Sequence, residues 1–203
     1  MPSSTFVRTI ASETGAAALT AIMARRSVPP RHLIGPGPSQ ADLSRIIEAA
    51  ATAPDHRGLR PYRFLEIADR TALAEAFVVA EREMNSTATE ADLDRARERA
   101  GHAPCLLAVI TRIDDDNAEV TVPEQIASAG AALGYLLLAA HSLGFGAMAV
   151  SGEKARSRSL HSRLGLARNE SLLCFVGVGT PSKTRGPRKT DEMAPPLLTR
   201  WTA

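Results

Sequence analysis

Three consecutive residues, Arg25, Arg26 and Ser27, combine two guanidinium groups with a hydroxyl group and could together bind one phosphate group. Guanidinium groups form charge-assisted, often bidentate hydrogen bonds with phosphate oxygens. A second cationic group lies near the C-terminus and consists of Lys183, Arg185, Arg188 and Lys189. Each group also has a simpler interpretation. The two arginines would compensate the dipole at the end of a helix, and the C-terminal cations would belong to a solvated arm.

Other signatures of catalysis are missing from the sequence. It contains no nucleophile elbow, no P-loop and no histidine-containing metal box. The five histidines are scattered, and only His56 lies in a loop rich in polar residues and prolines. Cys105 and Cys174 each lie inside an apolar run, which predicts buried free thiols rather than a disulfide or a zinc site. We therefore predict no metal site and no dedicated catalytic residue, and the thiols favour a cytoplasmic location.

Composition excludes several classes of protein. The chain has 203 residues, 44% of them hydrophobic and 23% charged, with a formal net charge of +2. This balance is typical of a single globular domain, and it argues against a non-specific nucleic-acid binder. The longest uncharged stretch, residues 126–150, could reach across a bilayer, but about half of it is Ala, Gly or Ser. We predict a buried helix, a turn and a strand there, and no membrane segment.

The elements that must position these residues follow from periodicity and from turn residues. Residues 1–14 are expected to be frayed, and residues 182–203 to form an extended arm. Ser39 is expected to cap a helix that continues to residue 53. The remaining predicted elements are helices over 15–26, 69–100 and 153–164, a long helix that starts at Pro123 and precedes the turn at residues 144–146, and strands over 62–68, 105–111, 147–151 and 172–178. This order predicts one α/β or α+β domain over 1–203, with helices covering a sheet.

Several short motifs, in this order, resemble the nitroreductase family of FMN enzymes, and most closely its short Ala-Pro-Asp-His branch. The motifs lie at residues 25–27, 38–43, 53–64, 122–130, 144–146, 151–152, 177–181 and 187–189. The resemblance covers about residues 18–190. It implies an α+β fold, a three-layer α-β-α sandwich with a mostly antiparallel central sheet. It also implies a homodimer in which a C-terminal arm lies on the partner, with FMN bound at the interface.

The resemblance also implies the roles of individual residues. The FMN phosphate and ribityl chain would be held by Arg25, Arg26 and Ser27, helped by Arg188 or Lys189. The residues that approach the flavin from the partner would be Thr52, Pro54, Asp55 and His56. Backbone groups around Ala149, Val150, Ser151 and Gly152 would face the N5 edge of the ring. NADH or NADPH would deliver hydride to N5, and a small electron-poor acceptor, such as a nitro compound or a quinone, would then take the electrons in ping-pong fashion.

The sequence departs from the pattern of the short branch near the ring. Ala149 and Val150 replace a usual Trp-Arg pair, Arg60 replaces a Gln and Tyr62 replaces a Trp. The loss of the Trp-Arg pair at Ala149 and Val150 removes a stacking wall and a charge, so it bears on nicotinamide binding and on substrate preference. Two alternatives therefore stay open at this point: a flavin-binding or flavin-sequestering protein without nicotinamide-linked turnover, and a dimeric scaffold that has lost the cofactor.

Overall fold

A computed structural model describes residues 15–183 and 198–201. Its helices are α1 (residues 15–24), α2 (Gln40–Ala51), α3 (Arg70–Met84), α4 (Glu90–Ala100), α5 (Val122–Ser142) and α6 (Arg158–Arg163). Its strands are β1 (Leu33–Ile34), β2 (Tyr62–Glu66), β3 (Cys105–Arg112), β4 (Gly146–Val150) and β5 (Glu170–Pro181). Short 3₁₀ turns cover Pro30–His32, His56–Gly58 and Glu153–Arg156. The fold is α+β, as predicted.

One five-stranded antiparallel sheet forms the middle layer. The strand order is β1-β5-β3-β2, and β4 also pairs with β5. Side chains alternate along β3: Leu107 and Val109 pack with α2 and α5, whereas Leu106 and Ile110 pack with α3, α4 and α6. A strand that is apolar on both faces must be covered on both sides, and two helical layers do this. Both cysteines are buried and free, as the sequence predicted.

Local capping explains where several helices begin. The Ser39 side chain accepts a hydrogen bond from the amide of Asp42, whose carboxylate in turn accepts from the Ser39 amide. This reciprocal capping box confirms the predicted start of α2. The Glu124 carboxylate accepts hydrogen bonds from the amide and the hydroxyl of Thr121 and stabilises the start of α5 in a related way.

The prediction of one continuous helix over residues 69–100 was wrong. Helix α3 ends at Met84, and the side chain of Asn85 accepts hydrogen bonds from the amide and hydroxyl of Thr87. A second capping box, between Thr89 and Asp92, then starts α4. Two helices can fold back on each other across the sheet, which one long helix could not do. The predicted helix over 153–164 is likewise divided into a 3₁₀ turn and α6.

Candidate functional site

A cavity of about 690 Å³ lies on the α3 and α4 side of the sheet. Its sheet wall includes Leu106 of β3 together with Phe175 and Gly177 of β5, and α3 contributes Phe77. The rings of Phe77 and Phe175 meet edge to face, with centroids 5.4 Å apart. The cavity therefore has an apolar and partly aromatic interior, which suits a flat aromatic ligand.

The segment that follows α1 leads from Arg25 and Arg26 into this cavity. Ser27 forms a parallel bridge with Ala147 at the start of β4, and the Val28 amide donates a hydrogen bond to the Ala147 carbonyl at 3.1 Å. The next two residues, Pro29 and Pro30, line the cavity. The chain is thus held beside β4 and runs in the same direction.

The absence of a side chain at Gly146 makes this close packing possible. A Cβ atom at Gly146 would lie 2.8 Å from Leu33 Cδ2 and 3.0 Å from Val28 Cγ2. Such distances are shorter than normal carbon–carbon contacts, so residues 28–33 could not pack across the start of β4 in their present position.

The loop that follows β4 forms another part of the cavity lining. Val150, Ser151 and Gly152 line the cavity, whereas Ala149 does not belong to its lining. Within the described part of the chain, the amides of Ser151 and Gly152 donate no hydrogen bond, so both are available to a ligand. Ala147 and Ser151 are four residues apart, which is about 13 Å along an extended strand.

Helix α3 fixes this loop with two carboxylates. The Glu81 side chain pairs with Lys154, and the Glu83 side chain accepts hydrogen bonds from the Ser157 hydroxyl at 2.7 Å and from the Arg158 amide at 2.9 Å. Hydrogen bonds from Ser159 and Ser157 and from backbone amides lower the pKa of Glu83 to about 2. Glu83 is therefore ionised at neutral pH and supports the start of α6 beside its N-cap Ser157, which anchors the far end of the loop.

Two exposed arginines of α4 border the cavity. Arg95 and Arg99 of α4 both line it, together with Arg31 and His102. The break between α3 and α4 makes the difference, because it turns this face of α4 towards the cavity. The spacing Thr89-x-x-Asp92 signals a helix start and could have revealed the break from sequence alone.

The predicted partner-side residues lie elsewhere in the chain. Thr52 lines a smaller cavity of about 340 Å³ between α2 and α5, and Pro54, Asp55 and His56 do not line the larger one. His56 Nδ1 lies 3.1 Å from Glu124 Oε1 at the start of α5. These four residues are therefore not brought together with Ser151 and Gly152 within one chain.

The loop around Asp55 has an unusual backbone. Arg57 and Arg60 have φ angles of 63° and 50°, in the left-handed region that non-glycine residues rarely occupy. One Asp55 oxygen accepts a hydrogen bond from the Arg60 amide at 2.6 Å. The other, Oδ1, is buried and has no hydrogen-bond partner among the described residues.

Two further observations concern the described residues alone. No cluster of His, Cys, Asp or Glu within them could hold a metal ion. None of the helices in residues 15–183 combines the length and the apolar character that crossing a membrane requires.

Arg188 and Lys189, the two predicted phosphate ligands of the C-terminal arm, lie outside the described residues. Of that arm, residues 198–201 are described, and Leu198 and Trp201 are both exposed.

Comparison with known proteins gives consistent matches. The family model described as "Nitroreductase family" matches residues 22–180. A protein of Haemophilus influenzae named "Putative NAD(P)H nitroreductase" is 32% identical over 163 residues, which are 80% of this chain and 88% of that protein. A nitroreductase-like family protein of Bacillus cereus has a similar fold, with a TM-score of 0.70, 22% identity, and 84% and 89% of the two chains covered. A nitroreductase of Desulfitobacterium hafniense solved with bound FMN has a TM-score of 0.64, with 22% identity and 91% and 98% covered.

Proposed function

Since the chain belongs to the nitroreductase family, we propose that it is an FMN-dependent NAD(P)H oxidoreductase that reduces a small electron-poor acceptor. The observation that carries this proposal is the parallel bridge that holds residues 27 and 28 against Ala147 of β4. Arg25 and Arg26, which do not line the cavity themselves, come just before this bridge in the chain, and the unused amides of Ser151 and Gly152 follow the other end of β4. A molecule with a phosphate at one end and an aromatic ring with polar edges at the other fits this arrangement.

The residues present match the chemistry of FMN. Two guanidinium groups and the Ser27 hydroxyl can hold a phosphate dianion, and the half-buried position of all three residues keeps them accessible. When bound, FMN would supply two-electron redox chemistry, accepting hydride from a reduced nicotinamide and passing electrons to the acceptor.

The backbone contributes what the side chains of this strand cannot. Ala149 and Val150 offer no side-chain donor, so the amides of Ser151 and Gly152 are the groups that would donate to the polar edge of the ring. Fixed N–H donors stabilise negative charge that develops on reduction. Glu81 and Glu83 act indirectly, because they hold the loop that presents these amides.

We also propose that the protein is a homodimer, because α5 presents an apolar face that nothing in the described chain covers. Ile126 is 50% exposed and Tyr135 is 41% exposed. A Cβ atom at Gly130 or Gly134 would meet no atom within 4 Å, so another helix can approach closely there. Apolar side chains of α1 are exposed as well, namely Leu19, Ile22 and Met23. In such a dimer, Thr52, Pro54, Asp55 and His56 would reach the flavin of the partner.

The dimer is tested by light scattering at micromolar protein concentration. We expect twice the chain mass and an interface above about 1,600 Å². A monomeric mass would contradict the dimer and, with it, the assignment of those four residues to the partner's flavin.

The phosphate site is tested with Arg25→Ala and Arg26→Ala. Each variant removes a charge-assisted hydrogen bond worth roughly 1.5–3 kcal/mol, so FMN affinity should fall about ten- to a hundredfold in a fluorescence titration. The matched control is Arg97→Ala, because Arg97 pairs with Asp94 and Glu75 on α4 and α3 and does not line the cavity. Unchanged FMN affinity in both variants would show that Arg25 and Arg26 only compensate the dipole at the C-terminal end of α1.

A further inference from the structure

The cavity carries more positive charge than the proposed arrangement of the cofactor uses. Arg31, Arg95 and Arg99 all line it. Arg95 is paired with Asp92, with Nη2 and Oδ1 2.6 Å apart. The guanidinium groups of Arg31 and Arg99, by contrast, make no ion pair or hydrogen bond with any residue in the described ranges.

The carboxylates that line the same cavity do not balance these charges. Glu81 is paired with Lys154, and Asp92 with Arg95. Glu153 is left as the one lining carboxylate without a cationic partner in the described part of the chain. The described lining of the cavity therefore contains two unpaired guanidinium groups and one unpaired carboxylate. Arg31 and Arg99 are both exposed, so they attract an anion through a partly solvated surface that salt can screen.

The rest of the lining indicates what this anion is attached to. Phe77 and Phe175 form an edge-to-face aromatic pair, and Leu106 extends the apolar surface. Such a surface packs best against a planar ring. The cavity thus combines an aromatic surface, formed by Phe77 and Phe175, with the unpaired guanidinium groups of Arg31 and Arg99. This combination is complementary to an aromatic carboxylate.

We propose that the α4 side of the cavity selects an electron acceptor that carries a carboxylate on an aromatic ring, and that Arg99 and Arg31 bind this carboxylate. This proposal rests on the proposed function, in which the FMN phosphate is bound by Arg25, Arg26 and Ser27. That arrangement leaves Arg31 and Arg99 free for the substrate.

The test compares two probes of nearly the same shape, 4-nitrobenzoate, which is an anion, and 4-nitrobenzamide, which is neutral. Binding to the FMN-loaded protein is measured by calorimetry in low salt, and turnover is measured as kcat/KM with NADPH or NADH. We expect the anion to bind about tenfold more tightly, the ratio that one charge-assisted hydrogen bond supplies. The preference should shrink as KCl is raised, because salt screens exposed charges.

Variants then assign the preference to residues. Arg99→Gln and Arg31→Gln should each reduce the preference at least about threefold, and the double variant should abolish it. Arg97→Gln, which changes the same helix outside the cavity, should leave it unchanged. Equal binding of the two probes by the parent protein, or a preference that survives in a folded double variant, would overturn the proposal.

The two proposals fail in different ways. A chain that takes up no FMN, or that shows no nicotinamide-linked turnover with either probe, refutes the proposed function. Calorimetry of that same chain still decides the anion site, because the comparison of 4-nitrobenzoate with 4-nitrobenzamide needs no turnover. If one single variant does not fold, the other single variant decides between the same two outcomes.

Discussion

Glu170, the first residue of β5, joins three strands through its carboxylate, and replacing it offers a quantitative test of the fold. Arg63 of β2 donates two hydrogen bonds to it, from Nε at 2.7 Å and from Nη2 at 2.9 Å. Arg112 of β3 lies 3.4 Å away, and the Ala167 amide donates a further bond at 3.1 Å. The Glu170 side chain is only 7% exposed. The hydrogen bonds from Arg63 are the main reason why the pKa of Glu170 falls from 4.5 to about 2.

This lowered pKa sets both the size and the pH range of the effect. A pKa change from 4.5 to about 2 corresponds to at most about 3 kcal/mol of folding free energy. The contribution is fully present above pH 4.5 and is lost as the pH falls towards 2, because the folded state binds the proton less readily than the unfolded chain. At pH 3 about 1.5 kcal/mol of it should remain.

Urea unfolding of Glu170→Gln and of the parent, at pH 7 and pH 3, measures this contribution. We expect the variant to lose about 3 kcal/mol at pH 7 and roughly half of that at pH 3. The protein concentration is kept fixed because the stability of a dimer depends on it. Glu98→Gln is the control, since the Glu98 side chain is 73% exposed and its replacement should cost less than about 1 kcal/mol. An equal loss of unfolding free energy at both pH values, or no loss at pH 7, would show that the ionised Glu170 carboxylate does not stabilise the fold in this way.

Three further changes probe the site and its supports. Ser151→Ala keeps the backbone amide and should change FMN affinity less than about twofold in a fluorescence titration. Ser151→Pro removes the amide N–H and should lower FMN affinity at least about tenfold. An equal loss of affinity in both folded variants would identify the Ser151 hydroxyl as the group that binds the flavin. Gly179→Ala would place a Cβ atom 2.5 Å from Pro104 Cδ and should cost about 1–3 kcal/mol, so an unchanged thermal midpoint would be inconsistent with this packing. Glu83→Ala removes the acceptor of the Arg158 and Ser159 amides and should accelerate amide hydrogen exchange at the start of α6 but not in β3. Unchanged exchange at the start of α6 would contradict the anchoring role.

Local signals in the sequence were sufficient for much of the fold. Ser39 predicted the start of α2 because its capping hydrogen bond depends only on residues three positions apart. The apolar run at Cys105 predicted β3 because both of its faces are covered. By contrast, β1 has only two residues, Leu33 and Ile34, and its pairing with Thr180 and Pro181 is a long-range contact that no local pattern reveals.

The candidate site was only partly visible in the sequence, for a similar reason. Arg25, Arg26 and Ser27 are adjacent, so their shared chemistry could be recognised without a structure. Arg95 and Arg99 belong to a heavily charged segment in which every arginine looks equally solvated. Only the packing of α4 against α3 separates them from Arg97, which pairs with Glu75 of α3, and that packing depends on the turn between the two helices.

An absorbance spectrum of the purified protein, followed by anaerobic titration with NADPH and then NADH, tests the proposed cofactor and its reductant most directly. We expect the two absorbance bands of oxidised flavin at about one FMN per chain. We also expect that at least one of the two nicotinamides bleaches these bands, and that an electron-poor acceptor restores them. A colourless chain that takes up no added FMN would contradict the proposed cofactor. Bound FMN that stays oxidised with both nicotinamides would identify a flavin-sequestering protein instead of an oxidoreductase.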